Sequence, residues 1–385
     1  MPACSTIRSC FLFGGLAAVA ASLAGLASTG ATPSLTPGAG PQERDLAQDA
    51  AIQDMPTYPL RFGKPGALPR QDGAVRLVTY NVANLFDEID DPTLSGRNED
   101  IDDAKPLHER VAVERAIREL DADVLTLQEI ESEAALRWFV ENHLQGMGYD
   151  HIVSIDAGNS RGIENAVLSR HPITEMRLWP GMRLGGVFPE ENGDREDAPA
   201  GAPMRFRRSP LWVTVSINDT EDAQQQPYEL GLMIVHKKSG RGEAAWRMAE
   251  SRMIADLLDE ITQARPELNI AVLGDFNDRP GDPSVRALTA TGLIDVFETP
   301  KAASVDADSE LVTHESGRRI DLILVNRNLM RELVAGSAFV LGTGARPEGV
   351  DWRVVRTFAN FASDHYPVSV DLVPRERSAG RSGGN

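Results

Sequence analysis

The stretch at residues 269–283, NIAVLGDFNDRPGDP, constrains the fold most because an apolar run in it ends abruptly in polar residues. Residues 270–273 have the length and β-branched content of a strand buried on both faces, and Gly274 ends that run. Asp275 and Asn277 follow where an α/β sheet places its ligands. On an extended backbone both side chains point to the same side, so that a carboxylate can meet a cation and a carboxamide an oxyanion. The alternative is ordinary turn chemistry, because turns favour Asp and Asn.

The composition is that of an acidic globular chain. The 385 residues are enough for one or two domains, and 42% are hydrophobic and 25% charged. The net charge of −18 disfavours tight binding of nucleic acid through a basic face. It does not exclude a metal-assisted nuclease, because divalent cations neutralise phosphates locally.

Residues 1–31 have the order of a secretory signal. Arg8 precedes an apolar stretch at 11–27, and small residues follow at 28–31. We therefore expect a secreted or periplasmic protein; the alternative is an uncleaved anchor, although this stretch is at the lower limit for a span. Cys4 and Cys10 both lie in this segment, so the mature chain is expected to have no disulfide and to depend on its core and a bound metal. Residues 32–72 are predicted to be a linker or disordered arm.

Strands and helices are predicted to alternate through a domain at residues 73–374, and the tail at 375–385 is predicted to be disordered. Residues 179–207 are predicted to be a loop. Hydrophobic periodicity predicts strands over 75–80, 123–127, 151–153, 164–170, 211–217, 228–235, 318–325 and 368–373, and helices over 109–120, 134–144 and 243–264.

Several polar side chains stand at strand ends or inside strands. His236 ends the predicted strand at 228–235; a buried, satisfied histidine is the alternative to a functional one. Asp321 lies between apolar neighbours, which is an unfavourable position for a carboxylate without a partner. Basic residues at 205, 207 and 208 flank the predicted strand at 211–217 and form either a solvated face or a phosphate-binding cluster.

Seven segments in this order resemble the endonuclease/exonuclease/phosphatase superfamily, over about residues 75–373. They are TYNVANLF, VLTLQEIE, ENAVLSRHPI, MIVHKKSG, VLGDFND, RRIDLILV and ASDHYPV. The family contains deoxyribonuclease-like metal-dependent phosphoesterases, apurinic endonucleases, neutral sphingomyelinases and inositol phosphatases. The resemblance implies an α+β fold, a four-layer α/β sandwich of two packed mixed β-sheets flanked by helices, with the site at one end of the sheets.

The resemblance also implies roles for individual residues. Glu129 would be the principal Mg²⁺ ligand, Asp275 would orient or deprotonate the attacking water, and Asn277 would hold a phosphate oxygen. His365 would be a second acid or base, and Asp321 would hydrogen-bond a catalytic histidine. The implied metal ligands are Asn81, Glu129 and Asp364, the catalytic residues His236, Asp275, Asn277, Asp321 and His365, and a phosphate-contacting residue Asn165.

The residue types suit phosphoester hydrolysis on independent grounds. That reaction needs a positioned water and charge stabilisation on the phosphate oxygens. Carboxylates and phosphate oxygens suit Mg²⁺, with Mn²⁺ or Ca²⁺ as alternatives, and histidine exchanges protons near neutral pH. Asp364 and His365 could instead belong to a Ser-His-Asp site, but the chain has no Gly-x-Ser-x-Gly elbow.

We therefore expect an exported metal-dependent phosphodiesterase, foremost a nuclease. The alternatives are a sphingomyelinase-like phospholipid esterase, a small-molecule phosphatase or phosphodiesterase and, in another class, a non-catalytic binding protein on the same fold. A nuclease needs basic side chains, for which Lys238 is a candidate for substrate binding beside Lys237 and the 205–208 cluster. A sphingomyelinase needs an exposed apolar hairpin, and residues 179–188 are the nearest approximation. The acidic loop at 87–103 could hold a second cation; the mature chain is expected to be a monomer without membrane insertion.

Overall fold

The computed structural model describes residues 51–89, 104–193, 198–217, 227–297, 309–349 and 358–374. These residues form two six-stranded mixed sheets and a separate two-stranded ribbon. The predicted sandwich is therefore confirmed. The predicted signal segment, the tail that is predicted to be disordered and most of the acidic loop at 87–103 lie outside the described residues.

The elements alternate along the chain. The strands are β1 (Val75–Leu85), β2 (Val124–Ile130), β3 (His151–Ser154), β4 (Glu164–Ser169), β5 (Ile173–Leu178), β6 (Arg183–Val187), β7 (Pro203–Arg205), β8 (Leu211–Ile217), β9 (Tyr228–His236), β10 (Asn269–Asp275), β11 (Ile294–Asp295), β12 (Asp321–Val325), β13 (Phe339–Val340) and β14 (Val368–Leu372). The α-helices are α1 (Leu107–Leu120), α2 (Glu133–His143), α3 (Ala244–Ala264), α4 (Pro283–Thr289) and α5 (Arg327–Met330), and short 3-10 helices cover Glu190–Asn192 and Ser309–Leu311.

The two sheets have the same kind of centre, a parallel strand pair. The first sheet has the order β13-β14-β1-β2-β4-β3, and the second β11-β12-β10-β9-β8-β5. In the first sheet β1 is parallel to β2, and in the second β9 is parallel to β10; the flanking pairs are antiparallel. Each parallel pair is joined through a helix, α1 or α3, as parallel neighbours require.

Alternating side chains divide the core into layers. Leu77 of β1 and Leu273 of β10 face each other's sheets and belong to one buried cluster between them. Val78 and Val272, one residue along each strand, point outward into two other clusters. Helices α1 and α2 cover the outer face of the first sheet, and α3 and α4 that of the second, which gives the four layers.

Two segments differ from the prediction. The predicted loop at 179–207 contains the antiparallel β6–β7 ribbon, whose short strands and glycines give little periodic signal. Within the predicted linker, the ring of Tyr58 is buried, and Leu60 and Lys64 form β-bridges with Gly344 and Leu341. The chain from Tyr58 onward is therefore part of the folded unit, because its backbone pairs with a segment some 280 residues away, which local composition does not show.

Among the described residues, no helix is both long and apolar enough to cross a membrane.

Candidate active site

The polar side chains meet at one end of the space between the sheets, where inward-facing apolar residues give way to polar ones. In the second sheet Asp275 pairs with His236 on one side and with Asp321 on the other. This register places an imidazole and two carboxylates side by side on three adjacent strands. Gly274 permits it, because a Cβ there would lie 2.0 Å from the carbonyl oxygen of Val235 on β9.

The first sheet supplies its side chains through irregular strand ends. The register of β1 against β2 shifts between Asn81 and Leu85, and that of β2 against β4 shifts around Glu129. Ala83, Asn84 and Glu129 all have positive φ, at 52°, 57° and 67°. Bulges of this kind re-aim side chains, and non-glycine residues at positive φ are concentrated at functional sites.

One carboxylate oxygen, Oδ2 of Asp275, is the centre of the cluster. The side-chain amides of Asn277 and Asn81 donate to it at 2.9 and 3.3 Å. Nε2 of His236 lies 3.4 Å from this oxygen, and Nε2 of His365 lies 3.9 Å away. Burial raises the pKa of Asp275 to about 6, while the charge of His365 acts in the opposite direction.

The two histidines beside Asp275 have opposite electrostatic surroundings. Burial, Arg208 and Arg161 hold the pKa of His236 well below its usual value, so this ring is neutral at pH 7. Burial alone would lower the pKa of His365, but Asp321 and Asp275 raise it well above its usual value. Nδ1 of His365 lies 2.9 Å from Oδ2 of Asp321. Groups whose pKa values are driven apart in this way are suited to different steps of proton transfer.

Glu129 lies on the other side of His236. Its Oε1 is 3.7 Å from Nε2 of His236, and the guanidinium of Arg161 approaches its two oxygens at 3.4 and 3.5 Å. Arg161 also donates to Oδ1 of Asn84 at 2.6 Å. The positive charge next to Glu129 is therefore the guanidinium of Arg161, which lies in the loop between β3 and β4.

Asp364 lies next to His314. Oδ2 of Asp364 is 3.5 Å from Nε2 of His314, and the His314 and His365 rings meet edge to face at 4.6 Å. Burial would raise the pKa of Asp364, but His314 and His365 lower it below its usual range. Asp364 therefore stays an anion beside the catalytic cluster.

The donor atoms fit a hard divalent cation. Oδ1 of Asn81 accepts the Ala83 N–H and keeps a second lone pair, and Glu129 has only long contacts through its oxygens. With Asp364 these are oxygen donors, which Mg²⁺, Mn²⁺ and Ca²⁺ prefer. Two groups also bring possible ligand atoms within 4.8 Å: His314, Asp364 and His365, and Asp275, Asp321 and His365.

Three predicted site residues contact other groups of the protein. Asn277 follows the end of β10 at φ 52°, and its amide donates to Asp275 and to the Lys237 carbonyl, so it holds Asp275 in place. Nδ2 of Asn165 donates to the Ser209 carbonyl at 3.0 Å, while its buried Oδ1 has no partner. The ammonium of Lys238 lies 5.6 Å above the ring of Trp246, on the α3 side.

Sequence reasoning missed Arg161 and His314 and misjudged two other cations. Arg208 is buried and donates to the carbonyls of His236 and Lys237 at 2.8 and 2.5 Å. Lys237 is buried too, and its ammonium donates to Ser251 and Ser284, each at 2.8 Å. No local pattern separates these buried cations from surface ones, because their partners come from segments that are distant in the sequence.

Comparison with known proteins identifies the family. The model of the Endonuclease/Exonuclease/phosphatase family matches residues 78–365, and the chain belongs to this family. Its members are in general hydrolytic phosphoesterases that use divalent metals. The comparison with curated proteins found no match.

Three solved structures are similar to this chain over most of their length. The catalytic domain of human Nocturnin is 15% identical, over 79% of this chain and 95% of that one, with a TM-score of 0.48. Truncated Caenorhabditis elegans TDP2 is 17% identical, over 78% and 97%, with a TM-score of 0.49. Bacteroides thetaiotaomicron mannosyl-6-phosphatase Bt3783 is 17% identical, over 78% and 99%, with a TM-score of 0.46.

Proposed function

We propose that the chain is an exported, divalent-metal-dependent phosphodiesterase and that its substrate is a nucleic acid. The observation that carries the proposal is the position of Asp275 Oδ2, 3.4 Å from the neutral His236 and 3.9 Å from the cationic His365. A base and an acid thus stand together at the mouth of a buried cluster. Hydrolysis of a phosphodiester needs both, to activate water and to neutralise the leaving oxygen.

Each residue then has a defined task. Asp275 orients the attacking water and accepts its proton, while Asn81 and Asn277 keep the carboxylate in place. The imidazolium of His365, fixed by Asp321, donates a proton to the leaving oxygen. A divalent cation held by Asn81, Glu129 and Asp364 would supply further charge neutralisation and position the phosphate.

The surface argues for a nucleic acid over a lipid. In the segment at 179–188, the nearest approximation to an exposed apolar hairpin, Trp179, Leu184 and Phe188 are buried in the cluster that contains Trp246 of α3, and Val187 is its exposed large apolar side chain. Arg205 is exposed and Arg207 is half-buried on the neighbouring ribbon and loop. Arg161 provides a third cation at the cluster itself. A small phosphodiester is the second candidate, because these cations are few against a net charge of −18.

The substrate can be tested directly. We would incubate the purified protein with plasmid DNA, RNA, sphingomyelin and bis(p-nitrophenyl) phosphate, each with Mg²⁺, Mn²⁺, Ca²⁺ or EDTA. We expect cation-dependent cleavage of DNA or RNA and of the chromogenic ester, lost in His365→Ala and kept in His151→Ala, a histidine on the edge strand β3. A folded protein that turns over none of these would favour the binding-protein alternative.

Export is proposed from the sequence at residues 1–31 and is tested separately. We expect the protein in the periplasm or medium, shortened at its N-terminus. Replacing two residues of the apolar stretch at 11–27 by arginine should keep it in the cytoplasm. Cytoplasmic localisation of the unmodified chain would contradict export and leave the chemistry untouched.

A further inference from the structure

A cavity of about 450 Å³ opens beside the catalytic cluster. Asp364 lines it and also adjoins His365, so the cavity borders the place where the phosphate would react. His314 lines it as well, with its ring 4.6 Å from that of His365. The cavity is therefore within reach of a group attached to a bound phosphodiester.

One wall comes from outside the region that matches the family. Arg61 precedes residues 78–365, and it is held beside the cavity by the bridge between Leu60 and Gly344. Nη1 of Arg61 donates to the carbonyl of Arg346 at 2.8 Å. Among the described residues no carboxylate pairs with this guanidinium, so its other N–H groups can serve a ligand.

Each carboxylate around the cavity has a partner or is screened by solvent. Glu315 accepts from the backbone N–H of Arg346 at 2.6 Å and from its Nε at 2.8 Å, so these two charges neutralise each other. Asp364 faces His314. Glu348 is exposed, where solvent screens its charge.

His314 adds a second donor. The backbone N–H of Ser316 donates to Nδ1 of His314 at 3.0 Å, so the proton of the neutral ring is on Nε2. Nε2 is thus an N–H group beside the cavity, and because its contact with Oδ2 of Asp364 is long, at 3.5 Å, an oxygen of a ligand can share this proton. A guanidinium and an imidazole N–H on one cavity are donors suited to phosphate oxygens.

We propose that this cavity binds a second phosphate group of the substrate, beside the phosphate that is hydrolysed. The inference rests on the proposed phosphodiesterase function for its biological meaning. It narrows the substrate to phosphodiesters that carry another phosphate nearby, either as the next phosphate of a polynucleotide or as a phosphate on a small diester. Arg61 and His314 are its donors, and Arg346 stays paired with Glu315.

Binding measured without turnover tests the cavity by itself. Calorimetry in EDTA would compare thymidine 3′,5′-bisphosphate with thymidine 5′-monophosphate on the full chain. We expect the bisphosphate to bind about tenfold more tightly, the value of one or two charge-assisted hydrogen bonds in a partly exposed site. Arg61→Gln, which removes the charge, should remove most of this preference, and Arg61→Lys should keep part of it.

Arg252→Gln is the matched control, because Arg252 is exposed on α3 and does not line the cavity. Equal affinity of the two nucleotides would overturn the inference, as would a preference that survives in Arg61→Gln with an unchanged melting temperature. If a single-stranded oligothymidylate binds more tightly than the bisphosphate and this gain depends on Arg61, the substrate is a polynucleotide. If the two ligands bind with equal affinity, the substrate is a small phosphodiester.

A separate measurement, the hydrolysis of a simple phosphodiester, tests the proposed function. Bis(p-nitrophenyl) phosphate has no second phosphate, so its cation-dependent hydrolysis reports on the catalytic cluster alone. Hydrolysis without a bisphosphate preference refutes only the cavity. A bisphosphate preference without any hydrolysis refutes the phosphodiesterase and leaves the cavity as a binding site for two phosphates.

Discussion

Asp321 holds the imidazole of His365 from the side away from Asp275: its Oδ2 lies 2.9 Å from Nδ1, while Nε2 of the same ring faces Asp275 Oδ2 at 3.9 Å. The ring therefore bridges two buried carboxylates that are register partners on β10 and β12. This arrangement fixes the orientation of the ring and stabilises its charged form.

Removing the charge of Asp321 should move the pH profile. In Asp321→Asn the pKa of His365 falls, because a carboxylate that raised it is gone. The imidazolium is then lost at lower pH, so the alkaline limb of the kcat profile should shift down by about one pH unit or more, with kcat reduced. Asp295→Asn, at a buried carboxylate paired with Arg319, should leave the limb in place. An unmoved limb in Asp321→Asn would show that His365 does not act as an acid.

Asp275→Asn and His365→Ala should each lower kcat by roughly 10²- to 10⁴-fold, the usual contribution of an acid or base. Both residues stand at the ends of strands and not among the apolar side chains between the sheets, so melting temperatures should stay near that of the unmodified protein. Steady-state kinetics and thermal unfolding measured on the same preparations check both parts. Wild-type activity in either variant would remove the mechanism.

Arg161→Ala should tighten cation binding. The Arg161 guanidinium lies 3.4 Å from Glu129 Oε1 and would compete with a divalent cation for that carboxylate. Because the pair is partly exposed, the gain in affinity should be modest, about two- to fivefold. Mn²⁺ titration by calorimetry without substrate measures it, and Arg137→Ala, at an exposed Arg137–Glu133 pair, is the control. Weaker binding in Arg161→Ala would mean that Arg161 supports Glu129 as a ligand.

Lys237→Met should change how stability depends on pH. Burial lowers the pKa of Lys237 to about 8, from 10.5 in an unfolded chain. The charged form is thus disfavoured on folding below pH 8, and the unmodified protein should gain stability as pH rises from about 8 to 10.5. The variant lacks this gain, so its stability relative to the unmodified protein should be highest at pH 7 and fall by on the order of 3 kcal/mol by pH 10. Denaturant unfolding at both pH values tests it; a constant difference would contradict the depressed pKa.

Much of the fold followed from local sequence. The run at residues 270–273 is a strand because it is apolar and β-branched, and Gly274 marks its end because only glycine permits the close approach to β9. The predicted helix at 109–120 corresponds to Leu107–Leu120 for the same kind of reason, a stripe of apolar residues at helical spacing. The ordered motifs also identified the family, which the match over residues 78–365 shows.

The element order, the family and the types of side chain at the strand ends can thus be predicted from the sequence, because each depends on a few neighbouring residues. Which of these groups meet depends on the packing of distant segments. Strand register brought Asp321 to Asp275, a bulge turned Glu129 towards Arg161, and pairing across the fold carried Arg61 to a cavity beside His314. Burial then set the charges, leaving His236 neutral and His365 cationic, because desolvation and neighbouring carboxylates depend on packing that no local pattern encodes.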